Sequence, residues 1–180
     1  MIKFDSEKSM EDFFFANYNR FSGDFDLFPS LNWKAGRQVK LGSHGICDII
    51  FTSVSETPEG FPELHIRLVE LKNTELSHFH ISQVSRYASF IKEAHEHFCG
   101  GVDFKAFLIG NKTFSESSSD LVYLCQSIDW LDVFECSIDP LSGVSINLVY
   151  GWHPSSHDES KVNDFFLFCG VDCDEGLKNG

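Results

Sequence analysis

The sequence predicts one α/β domain, a mixed central β-sheet flanked by α-helices. Segments with helical spacing of apolar residues alternate with short, β-branched apolar runs, in the order helix, strands, helix, strand, helix, strand. That alternation is the pattern of a layered α/β fold. A length of 180 residues suits one core of ordinary size. Hydrophobic residues at 42% and charged residues at 23% describe a chain that folds, neither disordered nor fibrous.

The opening helix is signalled by Ser9 as N-cap, followed by Met10, Phe13, Phe14 and Tyr18, with Glu11 and Asp12 in its first turn. From Arg37 to Ser53 the chain is broken by Gly42 and Gly45 and then becomes apolar, which predicts a strand pair entered through a glycine turn. After the turn cluster SETPEGFPE, the run LHIRLVELK alternates and then closes on apolar residues, as a central strand does. Between Glu75 and Cys99 the set Leu76, Phe79, Val84, Tyr87, Ile91, Ala94 and Phe98 predicts a long amphipathic helix over the sheet. VDFKAFLIGN reads as a buried strand, SSSDLVYLCQSIDWLDVF as a serine-capped helix, and SGVSINLVYGW as a last strand. The domain is expected over residues 1–152, with an acidic C-terminal extension over 153–180.

The formal net charge is −13, which excludes affinity for nucleic acid through bulk electrostatics. The charge is uneven: residues 1–112 hold 12 basic and 15 acidic side chains, residues 113–180 hold 2 and 12. A local basic group, Lys34, Arg37 and Lys40, remains in the nearly neutral part. No apolar run reaches the roughly 18 to 20 residues that a membrane span needs, and MIKFDSEKSMEDFFF lacks the order of a signal peptide. The expectation is a cytoplasmic protein without membrane contact, its six cysteines reduced.

Two features depart from what burial alone requires. Asp48 opens the apolar run Ile49-Ile50-Phe51, and Glu70 and Lys72 end the most apolar strand with Leu71 between them. Residues two apart on a strand share a face, so Glu70 and Lys72 point together while Leu71 enters the opposite layer. If Asp48 lies on the neighbouring strand, two carboxylates converge, and they repel unless a cation joins them. Mg²⁺ suits such oxygens, since it binds one or two carboxylates and leaves room for water and substrate phosphate. Lys72 is then placed to hold the attacking water or to neutralise charge on phosphate. On the next helix Gln83 shares a stripe with Tyr87, and an inward amide needs a partner.

The ordered series Glu11, GRQVKLGSHGICDIIF with Asp48, VELK with Glu70 and Lys72, and QVSRY with Gln83 and Tyr87 resembles the PD-(D/E)XK nuclease superfamily. Within it the series is similar to the RecB-like nuclease domain of archaeal and actinobacterial mismatch and single-strand endonucleases, over residues 9 to about 150. The resemblance implies a restriction-endonuclease-like sheet and metal-dependent cleavage of DNA. In that reading Glu11, Asp48 and Glu70 hold Mg²⁺ or Mn²⁺, Lys72 assists the water, Gln83 and Tyr87 order the site, and Arg37, Lys40 and Tyr87 meet substrate. Cys47 stands where the family's name has proline, and Ile46 where relatives often carry arginine. Those relatives carry a further DNA-binding or dimerisation domain, so a protein partner, a homodimer or a short substrate is expected to supply its role.

Plainer readings stand beside these. Glu70 and Lys72 make an ordinary ion pair if the strand is a free edge, Asp48 a turn cap, and Glu11 a carboxylate stabilised by the helix dipole. Arg37 and Lys40 alternatively form a solvated strand face. The tail holds His153, His157, Cys169 and Cys173 as H-x3-H and C-x3-C, a spacing compatible with a structural zinc, although eight histidines and six cysteines make chance pairing easy. A second function class is a non-catalytic binding or regulatory protein on a nuclease scaffold, its acidic last third mimicking nucleic acid or docking on a basic subunit. A third makes the acidic tail a cover over the site.

Overall fold

The computed structural model describes residues 4–18, 33–95, 99–112, 123–125, 127–139 and 143–150. Its first helix, α1 (Glu7–Asn17), begins earlier than the sequence suggests, because the N-cap is Ser6 and not Ser9. Ser6 Oγ accepts from the Ser9 amide at 3.0 Å, and Ser9 Oγ accepts from the Ser6 amide at 3.0 Å, a reciprocal box that closes the first turn. Glu11 therefore sits in the second turn, beyond the dipole's main reach, and is buried. Met10 and Phe14 have no exposed surface and anchor α1, each contributing about 1.5–3 kcal/mol by burial.

Strands β1 (Lys34–Lys40), β2 (Ile46–Glu56), β3 (Pro62–Glu75), β4 (Val102–Lys112), β5 (Leu131–Asp139) and β6 (Gly143–Tyr150) form one mixed sheet in chain order. β1, β2 and β3 are antiparallel neighbours, β3, β4 and β5 run parallel, and β5 and β6 are antiparallel. The parallel step from β3 to β4 is made by helix α2 (His78–Ala94), which crosses over one face. Ile81, Val84, Tyr87, Ala88 and Ile91 of α2 pack on Leu64, Ile66, Leu68, Ala106 and Leu108. The other face carries Ile49, Phe51, Val69, Leu71, Phe107 and Ile109 under Met10 and Phe14 of α1. Burial on both faces explains why β3 and β4 read as nearly unbroken apolar runs.

The β1–β2 hairpin changes sides partway along. Ala35 of β1 and Ile49 and Phe51 of β2 pack in the α1 layer, yet Val39 and Cys47 pack in the α2 layer. Strict alternation would keep Ala35 with Val39, and Cys47 with Ile49, on one face. The crossing falls at Gln38, whose φ is +48°, opposite Asp48. The pairing register is the same on either side, Arg37 with Ile49 and Val39 with Cys47, so no residue is inserted. A left-handed glutamine costs about 1–3 kcal/mol, and the tip gains contact with α2 in return. At that tip Gly45 has φ +127°, and a Cβ there would lie 3.0 Å from the Tyr87 ring and hydroxyl.

Several expectations are corrected. Leu131–Phe134, expected at the end of a helix, open β5. Leu131 and Val133 enter one layer and Phe134 the other, so the period is two, while Tyr123–Cys125 within the expected helix are helical. The long helix is shorter than Glu75–Cys99, since β3 extends through Glu75. Phe79 is not on its buried face: it lies in the first turn, is 70% exposed, and its ring stands 4.0 Å from that of His78. His153, His157, Cys169, Cys173 and the whole extension 153–180 lie outside the described residues. Among the described residues no helix is long and apolar enough to cross a membrane.

Candidate active site

The β2–β3 ladder ends at Ile49 opposite Val69. One step further, the same register sets Asp48 against Glu70, and there the strands part. Asp48 fills the gap: its Oδ2 accepts the Leu71 amide at 2.8 Å, a side chain replacing a ladder bond. The opening is a pocket of about 660 Å³ lined by Glu7, Lys8, Glu11, Arg37, Gln38, Ile46, Asp48, Glu70, Lys72 and Gln83. Elements from both layers thus meet at the end of one sheet, as ligand sites in open α/β sheets do.

Within it Glu70 is 1% exposed. Its Oε1 lies 2.8 Å from Lys72 Nζ and accepts from Gln83 Nε2 at 2.7 Å. Its Oε2 is buried with no hydrogen-bond partner among the described residues. Leu71, between the two, packs in the α1 layer. Lys72 Nζ also donates to Glu7 Oε1 at 3.2 Å. Gln83 Nε2 lies 2.7 Å from the Tyr87 hydroxyl, which donates to the Ile46 carbonyl at 2.7 Å. This chain ties the hairpin tip through α2 to Glu70.

Burial pushes the Glu70 carboxyl up to about 7, helped by the facing Asp48. Asp48 is raised for the same first cause, against the pull of the Leu71 amide. Burial draws the Lys72 ammonium down, but Glu70 and Asp48 more than reverse it, so the group stays cationic. Lys72 is therefore a fixed positive charge and hydrogen-bond donor, and a poor base. Burial also lifts the Cys47 thiol to about 12, so Cys47 is inert packing.

The sequence candidates separate into groups. Asp48, Glu70, Lys72 and Gln83 share the pocket, and Tyr87 supports it from behind through Gln83. Glu11 lines it too, but both its oxygens are engaged, by Arg37 Nε at 2.7 Å and Gln38 Nε2 at 2.8 Å. Arg37 lines the pocket while clamped to α1, paired with Glu11 and Asp12 and lying 5.1 Å over the Phe15 ring. Lys40 is exposed on β1 and is not among the lining residues. Glu7, Lys8, Gln38 and Ile46 belong to the site although sequence reasoning gave them no role in it. Only Gln38 carries a signal, its backbone, which no sequence displays.

A divalent cation fits this donor set in one respect. Glu70 Oε2 is a buried acceptor without a donor, facing a second carboxylate whose charge burial opposes. No three His, Cys, Asp or Glu side chains among the described residues gather as a ready cage. Two carboxylates are what Mg²⁺ requires of a protein when water and phosphate complete its octahedron.

A second polar network lies elsewhere on the sheet. Ser55 Oγ is 2.7 Å from His65 Nε2, His65 Nδ1 is 2.9 Å from Asp103 Oδ2, and Arg67 Nη2 donates to that same oxygen at 2.7 Å. The guanidinium also donates to the Ile66 and Asp103 carbonyls and lies 5.4 Å over Trp33. Sharing of Asp103 makes this a support for the buried Arg67.

Compared with protein-family models, curated proteins and solved structures, the chain gives no match.

Proposed function

We propose that the protein is a Mg²⁺- or Mn²⁺-dependent nuclease that hydrolyses DNA phosphodiester bonds by in-line attack of water. The observation that carries the reading is Asp48 set against Glu70 where the strands part, with Glu70 Oε2 buried and undonated and Lys72 beside it. Asp48 and Glu70 would hold the cation, with Glu11 free to join only after exchanging its bonds to Arg37 and Gln38. When bound, such an ion supplies Lewis acidity to the phosphoryl oxygens and acidifies water. Lys72, cationic and at the pocket's edge, orients the water and offsets negative charge that grows on phosphate. Gln83 fixes the Glu70 carboxylate in plane, and Tyr87 fixes Gln83. The spacing of Asp48, Glu70, Lys72, Gln83 and Tyr87, similar to that of the PD-(D/E)XK nucleases, supports this over other phosphoryl chemistries and implies a 5′-phosphate product.

The test is cleavage of a panel of labelled single- and double-stranded DNAs with Mn²⁺. Asp48→Ala, Glu70→Ala and Lys72→Ala should each abolish cut products without loss of fold. Full activity in purified Asp48→Ala refutes the reading. The net charge of −13 favours a second reading, a binding protein that acts through a basic partner. Mn²⁺ separates the two: a metal site raises the melting temperature, and a binding scaffold leaves it unchanged.

A further inference from the structure

Gln38 is the one non-glycine with positive φ among the described residues, and its side chain points where a strand would not send it. Neighbours on a strand face opposite ways, yet Arg37 Nε and Gln38 Nε2 grip the two oxygens of one carboxylate, Glu11. The same Nε2 reaches Asp48 Oδ1 at 3.1 Å. Asp48 Oδ2 already accepts the Leu71 amide, so Oδ1 is the oxygen that Asp48 has to offer a ligand. The amide nitrogen thus stands between Glu11 Oε2 and Asp48 Oδ1, within hydrogen-bond distance of both.

We propose that the Gln38 carboxamide is a resident stand-in for a cation, joining Glu11 to Asp48 in the metal-free protein and withdrawing when a divalent ion binds. This rests on the metal reading above and adds to it a positioning residue that sets the metal affinity. An ion taken up at Asp48 Oδ1 would compete with the Gln38 amide for that oxygen, and Glu11 Oε2 could join only once the amide lets it go. The N–H₂ donors keep the two acids compatible at rest, and the same contacts compete with the ion. Gln38 offers a short swing outward, since it is exposed.

The experiment is calorimetric titration of Mn²⁺ into the purified full chain, with melting curves in parallel. Gln38→Gly keeps the left-handed backbone and removes the amide. Gln38→Met keeps the length and the strain but has no donor. Asp48→Asn is the control for the metal site. Both Gln38 variants should bind Mn²⁺ about ten-fold more tightly than wild type, the scale of one hydrogen bond to a charged group. Gln38→Met, which keeps the strain, should also melt lower than wild type in chelator and gain more from Mn²⁺. Equal or weaker binding in the two, while Asp48→Asn loses binding, overturns the proposal and leaves the metal site standing. Tighter binding in Gln38→Gly alone assigns the gain to relief of the backbone and also overturns it. If wild type and both variants ignore Mn²⁺ at millimolar concentration, the metal reading falls together with this one.

Discussion

Two polar clusters are built on the same sheet, and they are opposites in accounting for charge. Around Arg67 the guanidinium meets Asp103, two carbonyls and the Trp33 ring, while His65 and Ser55 complete the chain of bonds. Burial pushes the Asp103 carboxyl up, but its bonds from Arg67 and His65 outweigh that and hold it below the usual carboxylate range. Around Asp48 the acids Glu7, Glu11, Asp48 and Glu70 line a pocket with only Lys8, Arg37 and Lys72, and one buried oxygen lacks a donor. The first arrangement is saturated and supports the fold. The second holds Asp48 and Glu70 above the ordinary carboxylate range, a cost that stability alone gives no reason to keep.

The contrast breaks most sharply at Lys72. Lys72→Ala should lower cleavage by at least about a hundred-fold, the scale of losing one preorganised donor. The same substitution should leave the Arg67 network intact, seen as an unchanged amide spectrum around His65 and Asp103.

Acidity gives the next effect. Because the folded Glu70 pKa, about 7, exceeds the ordinary 4.5, the native state holds a proton that the unfolded chain has released between those values. Stability in chelator should therefore fall as pH rises from 4.5 through 7, by up to about 3 kcal/mol. Asp48, also raised, acts in the same direction. Melting curves at pH 5 and 8 check this, and Mn²⁺ should restore most of the loss at pH 8 by giving the carboxylates a counter-ion. A melting temperature that rises over this window would contradict a buried Glu70 whose Oε2 lacks a donor.

Arg67→Ala should cost about 2 kcal/mol in chemical denaturation, through lost charged hydrogen bonds and packing, with Mn²⁺ affinity unchanged. Ser55→Ala should shift stability by under about 1 kcal/mol and leave cleavage as it is, since its hydroxyl is exposed. A large loss of activity in Ser55→Ala would move the chemistry to the other cluster.

What the sequence could carry was the part written in side-chain periods. Strand alternation alone put Glu70 and Lys72 together and Leu71 apart, and helical spacing alone joined Gln83 to Tyr87. Helical spacing extends over Leu131–Phe134 in the sequence because the strand's own period covers few residues there. Ser6 and Ser9 both fit the pattern of a cap, because the box has serine at both ends. The engagement of Glu11, Arg37 and Gln38 was invisible for a different reason. It depends on one backbone angle, and glutamine has no preference that announces a left-handed turn.

The hairpin's change of side at Gln38 and Asp48 also links two parts of the molecule mechanically. Beyond that pair the ribbon is seated against α2 through Val39, Leu41 and Cys47; before it, Ala35, Ile49 and Phe51 pack in the α1 layer. A bulky residue at Gly45, whose Cβ would meet Tyr87, should therefore loosen the tip and disturb Asp48 beside it.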